Sequence, residues 1–386
     1  MVIKDVIVCD VDGERKIDVA IEDGKITAMD ENLQDSKMID AQGAYLLPTL
    51  QDSNVTLQDG ILSAKNIQAV ANEAKSGGVG HIVLNPVLNP SIDNEITLEY
   101  AQNSIKDIQD VKIDLMLNAL QEDLGLSNIA ILLKKGVVYP YMSTIAKNNI
   151  AIKIAEYVKM YDVELQCKAE DNSLISSGVM FEGDVSSRLG LSGIPELSEV
   201  LHVSRMTEIA KYFNIKILFK SIASPRSIQL ISKAKEEGVQ VNCEVSLHHL
   251  VDCDAACEAF NTIAKLDPPL GNKAMMSELQ QLLQEGAIDK LTTLHRPNSP
   301  VNKEVAFYDA AYGCSALADA LPLYYTKLVK SGLVDMQTLI KLTTDGAKVD
   351  VGSSDFVVFD PTKSYRVDNS DSLYNNEELY GEVRYF

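Results

Sequence analysis

Histidine is scarce in this chain. Five occur among 386 residues, at 81, 202, 248, 249 and 295, so a metal centre built from imidazoles has little to draw on. Cysteine is sparse too: the six, at 9, 167, 243, 253, 257 and 314, are scattered as reduced thiols would be rather than set out as a disulfide framework. Cys253-x-x-x-Cys257 is the one close pair. With no second ligand pair nearby it reads as two positions on adjacent helical turns, not a zinc site. No apolar run approaches roughly 18 residues, which argues against a membrane span. The first residues lack a basic segment followed by an apolar run and a small-residue cleavage site, which argues against a secretory leader. A cytoplasmic location is therefore expected. Positive charge is in deficit, with 35 Lys and Arg against 55 Asp and Glu, a formal charge of −20. Such a surface repels nucleic acid and anionic membranes and suits a basic protein partner.

Hydrophobic residues make up 46% of the chain, enough to bury a large core. The two ends read as β structure. Val6-Ile7-Val8 is a short apolar strand, and Asp12-Gly13 and Asp23-Gly24 are hairpin dipeptides flanking the alternating Lys16–Ile21. Near the other end, Phe356–Phe359 is a strand closed by Asp360-Pro361, and Gly381–Tyr385 is another. Between the ends, eight strand candidates alternate with helical patterns: Asn54–Leu57, His81–Leu84, Lys112–Leu117, Val137–Tyr139, Val163–Gln166, Ile215–Phe219, Val239–Glu244 and Lys290–Thr293. Among the helices, Ser224–Glu237 opens on a Ser N-cap followed by Pro and stops at Gly238, and Glu196–Phe213 has apolar residues at helical spacing. The pattern predicts an α/β fold, a (β/α)8 TIM-type barrel over residues 48–348, with a small β-sandwich domain from residues 1–47 and 349–386. Chemistry in such a barrel belongs at the strand ends and the loops after them.

One stretch, Leu46 to Gly60, looks like the first barrel strand ending at that mouth. It resembles the Pro-Gly-x-x-Asp-x-His-x-His-x-Arg segment of the cyclic amidohydrolases, dihydroorotase above all. The likeness extends over nearly the whole chain. It is carried by Gly178-x-x-x-Glu182-Gly183-x-x-Ser186-x-x-Leu189-Gly190-Leu-x-Gly193-Ile194-Pro195, by Glu244-Val-Ser-Leu-His248-His249-Leu250, by Lys265-x-x-Pro268-Pro269-Leu270, and by Ala169-Glu170-Asp171 and Asn89-Pro90. The resemblance implies a zinc-dependent barrel closing carbamoyl aspartate to dihydroorotate in pyrimidine synthesis. That reaction requires Zn²⁺ to activate water and polarise a carbonyl, a carboxylate to carry the proton, and a cation to hold the substrate carboxylate.

The positions that the resemblance marks for this chemistry hold other residues. The paired His after the first strand are Asn54 and Thr56. The bridging acid or carboxylated Lys after the fourth is Tyr141. The His before Ala-Glu-Asp is Lys168, and the His after the sixth strand is Ser221. The Thr-Asp-His-Ala-Pro-His motif reads Thr293-Leu294-His295-Arg296-Pro297-Asn298, so the catalytic Asp is Leu294. The substrate-holding positions are Gln58, Val87, Gly271 and Asn298. Amide, hydroxyl and ammonium groups are poor zinc ligands, and leucine carries no proton. No catalytic, substrate-binding or metal role is therefore expected at these ten positions, and no zinc cofactor.

Lys168 with Glu170 and Asp171 is expected to form a charged plug, since burying one sign alone is expensive; a Lys nucleophile or base is the alternative. His81 and His202 read as surface or packing residues, His248 and His249 as shaping the pocket, His295 as kept for the fold, and Asn375–Glu378 as a solvated turn. Bacterial homologues of this kind pair with aspartate transcarbamoylase. The resemblance thus implies a non-catalytic structural partner of that enzyme, with self-association left open. The competing reading is an active dihydroorotase or other cyclic amidohydrolase with an atypical site, and a small-molecule sensor using the mouth is a third.

Overall fold

The structure, a computed structural model, describes residues 1–144 and 146–385. Ile145 and Phe386 lie outside the described residues.

Eight parallel strands form the centre: Leu50–Val55, Val79–Leu84, Lys112–Asn118, Tyr139–Met142, Glu164–Lys168, Lys216–Lys220, Val241–Ser246 and Lys290–Thr292, each beside its predecessor. They are the barrel strands one to eight below. All eight lie at or next to the stretches that sequence predicts. The fourth is displaced toward the C-terminus, because Val137 follows the turn glycine Gly136 and Pro140 sits inside the strand. Helices follow the strands and bury one face each against the barrel. Ala64–Ser76 buries Ile67, Val70, Ala71 and Ala74, and starts where the Ser63 hydroxyl accepts from the Asn66 N–H. Pro225–Glu236 begins on Ser224, whose side chain accepts from the Ser227 N–H, with Pro225 in the first turn. Leu197–Phe213 completes the helix expected there.

The chain ends meet in one seven-stranded sheet containing Val2–Asp10, Gly13–Glu22, Lys25–Asp30, Met38–Asp40, Tyr45–Pro48, Phe356–Arg366 and Glu378–Arg384. Asp12-Gly13 and Asp23-Gly24 turn the chain as expected. The Phe356 strand does not stop at Asp360-Pro361; it continues to Arg366, and an irregularity in its pairing between Asp360 and Ser364 takes up the proline. Ile3, Val6, Val8, Val19, Leu46 and Val358 form the core of this sheet, separate from the barrel core.

The long signature from Gly178 to Pro195 is an excursion after the fifth strand. Met180–Phe181 pairs with Gly193–Ile194, and their neighbours pack with Cys257, Leu266, Leu270, Phe307 and Cys314. Its glycines are required by close approach. A Cβ on Gly178 would stand 2.6 Å from the Ile194 side chain, and one on Gly193 would stand 2.5 Å from the Glu182 Cα. Cys253 and Cys257 do not sit on adjacent α-helical turns. Cys253 precedes a kinked 3-10 segment, Asp254–Phe260, and both are free thiols. No described helix is long and apolar enough to cross a membrane.

Candidate active site

The C-terminal ends of the barrel strands surround a cavity of about 100 Å³. Seven of the ten positions singled out from the sequence line it: Asn54, Thr56, Val87, Tyr141, Lys168, Ser221 and Leu294. Gln58, Gly271 and Asn298 do not. The Gln58 carbonyl accepts from Asn66 Nδ2, the Gly271 carbonyl from the Asp254 N–H, and Asn298 Nδ2 donates to the Arg296, Tyr312 and Gly313 carbonyls.

The side chains at the strand ends bond to one another. Asn54 Nδ2 donates to Ser221 Oγ at 2.8 Å, and Asn54 Oδ1 accepts from Asn85 Nδ2 at 3.1 Å. Tyr141 is buried beside Val83 and Met116, and burial pushes its hydroxyl up to about 12, so it stays a neutral phenol. Ser221 and Leu294 both have left-handed backbone, with φ of 51° and 50°. That conformation is unfavourable for a bulky residue such as leucine, and strain of this kind gathers at strand ends that shape a site.

Two lysines dominate the electrostatics. Lys168 Nζ stands 2.9 Å from Asp267 Oδ2 and 3.2 Å from Glu170 Oε2. Burial pulls the Lys168 ammonium down, but Asp267 and Glu170 outweigh it and hold its pKa above the ordinary lysine range. The plug thus exists with a different membership. Asp171 is not part of it, because its carboxylate turns back to accept from the Ser173 N–H and hydroxyl, and Asp267 takes its place. The fixed ammonium also speaks against Lys168 as a nucleophile, which must shed its proton. Deeper in the barrel, Lys220 Nζ pairs with Glu244 Oε2 and donates to the Ser53 carbonyl at 2.8 Å, with both charged groups fully buried. Sequence reading passed over this pair; a Lys at the sixth strand end and a Glu opening the seventh-strand motif were its only signals.

This donor set does not fit zinc. Among the described residues no group of three or more His, Cys, Asp or Glu is placed to hold a metal. Asp267, which lines the mouth, Glu170 beside it and the deeper Glu244 are each already paired with an ammonium, which leaves no uncompensated carboxylate for a cation.

Of the histidines, His81 is half-buried and pairs with Asp114 at 2.8 Å, and His202 is buried against Cys167. His248 bonds to the Tyr374 hydroxyl, and His249 lies against the Ser246 hydroxyl and the Pro268 carbonyl. His295 has a single permitted tautomer. Its Nδ1 accepts from the Ala316 and Leu317 N–H groups, which places the ring proton on Nε2, 3.2 Å from Glu73 Oε2 but misaligned for a hydrogen bond. Burial, with Asp371 and Asp319 adding to it, raises the Glu73 carboxyl to about 7 from 4.5. A carboxyl raised on folding contributes stability that is present below its unfolded pKa and lost as pH rises through about 7. Glu73→Gln should therefore match the parent near pH 4 and exceed it by about 1–2 kcal/mol at pH 8, allowing for the one-third exposure of the side chain. Urea denaturation at the two pH values checks this, and equal gains at both would refute it.

No family model matches the sequence. Curated relatives do. The chain is 31% identical over 415 residues to the dihydroorotase of Caldanaerobacter subterraneus subsp. tengcongensis, covering 100% of this chain and 95% of that one. It is 35% identical over 333 residues to the dihydroorotase of Elusimicrobium minutum, covering 84% and 77%. Among solved structures, the L-hydantoinase of Arthrobacter aurescens superposes with a TM-score of 0.86 at 20% identity over 99% of this chain and 93% of that one. The dihydropyrimidinase of Brevibacillus agri superposes with 0.83 at 18% identity over 99% and 92%. The structural likenesses establish the barrel fold, and the sequence relatives go further: this chain belongs to the dihydroorotase family of pyrimidine biosynthesis.

Proposed function

We propose that this protein is a dihydroorotase-family member without dihydroorotase activity that serves as a structural partner of aspartate transcarbamoylase. The observation that carries the first half is the pairing of Lys168 and Lys220 with the mouth's carboxylates. Hydrolysis or closure of a cyclic amide needs a Lewis acid to activate water and polarise the carbonyl, and a carboxylate to carry the proton. Ammonium groups neutralise the nearby carboxylates, and by the resemblance Leu294 stands where the proton carrier would be. The partnership comes from the family resemblance. Its physical support is that fold and site are separable, so the helices around the barrel stay available to a partner whatever the mouth contains.

Metal analysis and turnover test the first half together. Purified protein should carry far less than one zinc per chain and leave dihydroorotate and carbamoyl aspartate unconverted, even with added zinc. Stoichiometric zinc with turnover would instead establish the active-enzyme reading that the relatives' names favour. For the second half, a mixture with aspartate transcarbamoylase should co-elute in size-exclusion chromatography. Separate elution at micromolar concentrations would remove the partnership.

A further inference from the structure

Arg296 stands where the family motif quoted above has alanine, and its guanidinium lines the mouth. Among the described residues it makes no side-chain hydrogen bond, and its only oppositely charged neighbour within 4 Å is Asp267, at 3.6 Å. That carboxylate is already held by Lys168 at 2.9 Å. Arg296 thus offers an unused planar fork of donors to the cavity, the geometry that grips a carboxylate through two parallel hydrogen bonds. The positions at which the resemblance would place a carboxylate-holding group, Gln58, Val87 and Gly271, provide no cation. The cation without a hydrogen bond at the mouth is instead Arg296.

We infer that the barrel mouth is a metal-independent binding site for a small monocarboxylate, held bidentately by Arg296. Lys168 and Arg296 balance Glu170 and Asp267, while Lys220 and Glu244 cancel below them. A single negative charge can use the free fork of Arg296. A dianion would press its second charge against Asp267 and Glu170, so phosphate is disfavoured. The same cavity is lined by Thr56, by Ser143, whose hydroxyl donates to Asn118 Oδ1 and can still accept, and by the apolar Leu294 and Val87. That lining suits a short acid carrying a hydroxyl. The cavity of about 100 Å³ has room for a ligand of about six heavy atoms. The inference rests on the non-catalytic reading in that the mouth is taken to hold no zinc.

The test is isothermal titration calorimetry on the full chain after dialysis against EDTA, using lactate, its neutral counterpart lactamide, and inorganic phosphate. Lactate should bind with a dissociation constant on the order of 1 mM, and lactamide and phosphate at least about tenfold more weakly. Arg296→Ala should abolish lactate binding while shifting the urea midpoint only slightly, since the half-exposed side chain makes no hydrogen bond and its one ion pair, to Asp267, is long at 3.6 Å. Arg296→Lys, which keeps the charge but loses the fork, should bind more weakly than the parent and more tightly than Arg296→Ala. No lactate heat at 20-fold this concentration (about 20 mM), equal binding of lactamide, preferential binding of phosphate, or an unaffected Arg296→Ala would each overturn the inference. Zinc content of the same preparation before dialysis is measured separately. A failed non-catalytic reading, seen as stoichiometric zinc, is therefore distinct from a failed anion site, seen as no Arg296-dependent lactate binding.

Discussion

Asp52→Ala is expected to lower the unfolding free energy by about 3–5 kcal/mol, because this one carboxylate joins the two ends of the barrel sheet. The hydrogen-bonded order runs continuously from strand eight to strand one by way of the other six, which leaves those two as its ends. Asp52, on strand one, bridges them. Its Oδ1 accepts from the Thr292 hydroxyl at 2.6 Å and from the Asn54 N–H at 3.0 Å. Its Oδ2 accepts from the Thr293 N–H at 2.9 Å and from the Thr293 hydroxyl at 2.5 Å. Burial raises the pKa of Asp52, and these four donors oppose the rise. Alanine would leave several buried donors unsatisfied, each worth about 1–3 kcal/mol. Asp52→Asn should fall between, since its amide still accepts on one side but confronts the Thr293 N–H with another donor on the other. Equilibrium urea denaturation of the three proteins gives the order. A loss below about 1 kcal/mol for Asp52→Ala would mean that the backbone bonds Thr56 N–H to His295 O and Asp59 N–H to Pro297 O close the seam unaided.

Why that seam escapes a reading of the sequence is a matter of distance along the chain. Local signals survive translation into structure: the Ser224-Pro225 helix start, the Asp-Gly hairpin turns and most of the apolar strand runs fall where periodicity and turn chemistry put them, the fourth barrel strand and the end of the Phe356 strand excepted. Asp52 is visible as part of the first-strand frame, but its partners lie 240 and 241 residues away. Only closure of the barrel brings them together. Lys168 shows both sides of this. The need for a counter-charge was legible beside it in Glu170, yet Asp171 follows a two-residue Asx turn and the stronger partner, Asp267, arrives from 99 residues downstream. Arg296 was legible as a departure from a motif, but nothing local says that it is left without a hydrogen-bonding partner.

Lys220→Met should destabilise the protein by about 3–5 kcal/mol, and the double variant Lys220→Met/Glu244→Gln should recover most of the loss. Both charges are fully buried, and burial drags the Lys220 pKa down against the pull of Glu244. Removing the ammonium alone strands a carboxylate with only the Ser53 and Ser221 hydroxyls and the Asn54 amide around it. Neutralising that carboxylate as well replaces an unpaired charge by an amide that those same groups can satisfy. A pair whose attraction little more than offsets its desolvation is nearly neutral to remove whole and costly to halve, so the double variant should lie within about 1–2 kcal/mol of the parent. Urea denaturation of the parent, both single variants and the double closes the cycle. If Lys220→Met proves as stable as the parent, Lys220 is not what balances Glu244. The carboxylate would then be free to take another cation, and the charge argument against a metal at the base of the mouth would fail with it.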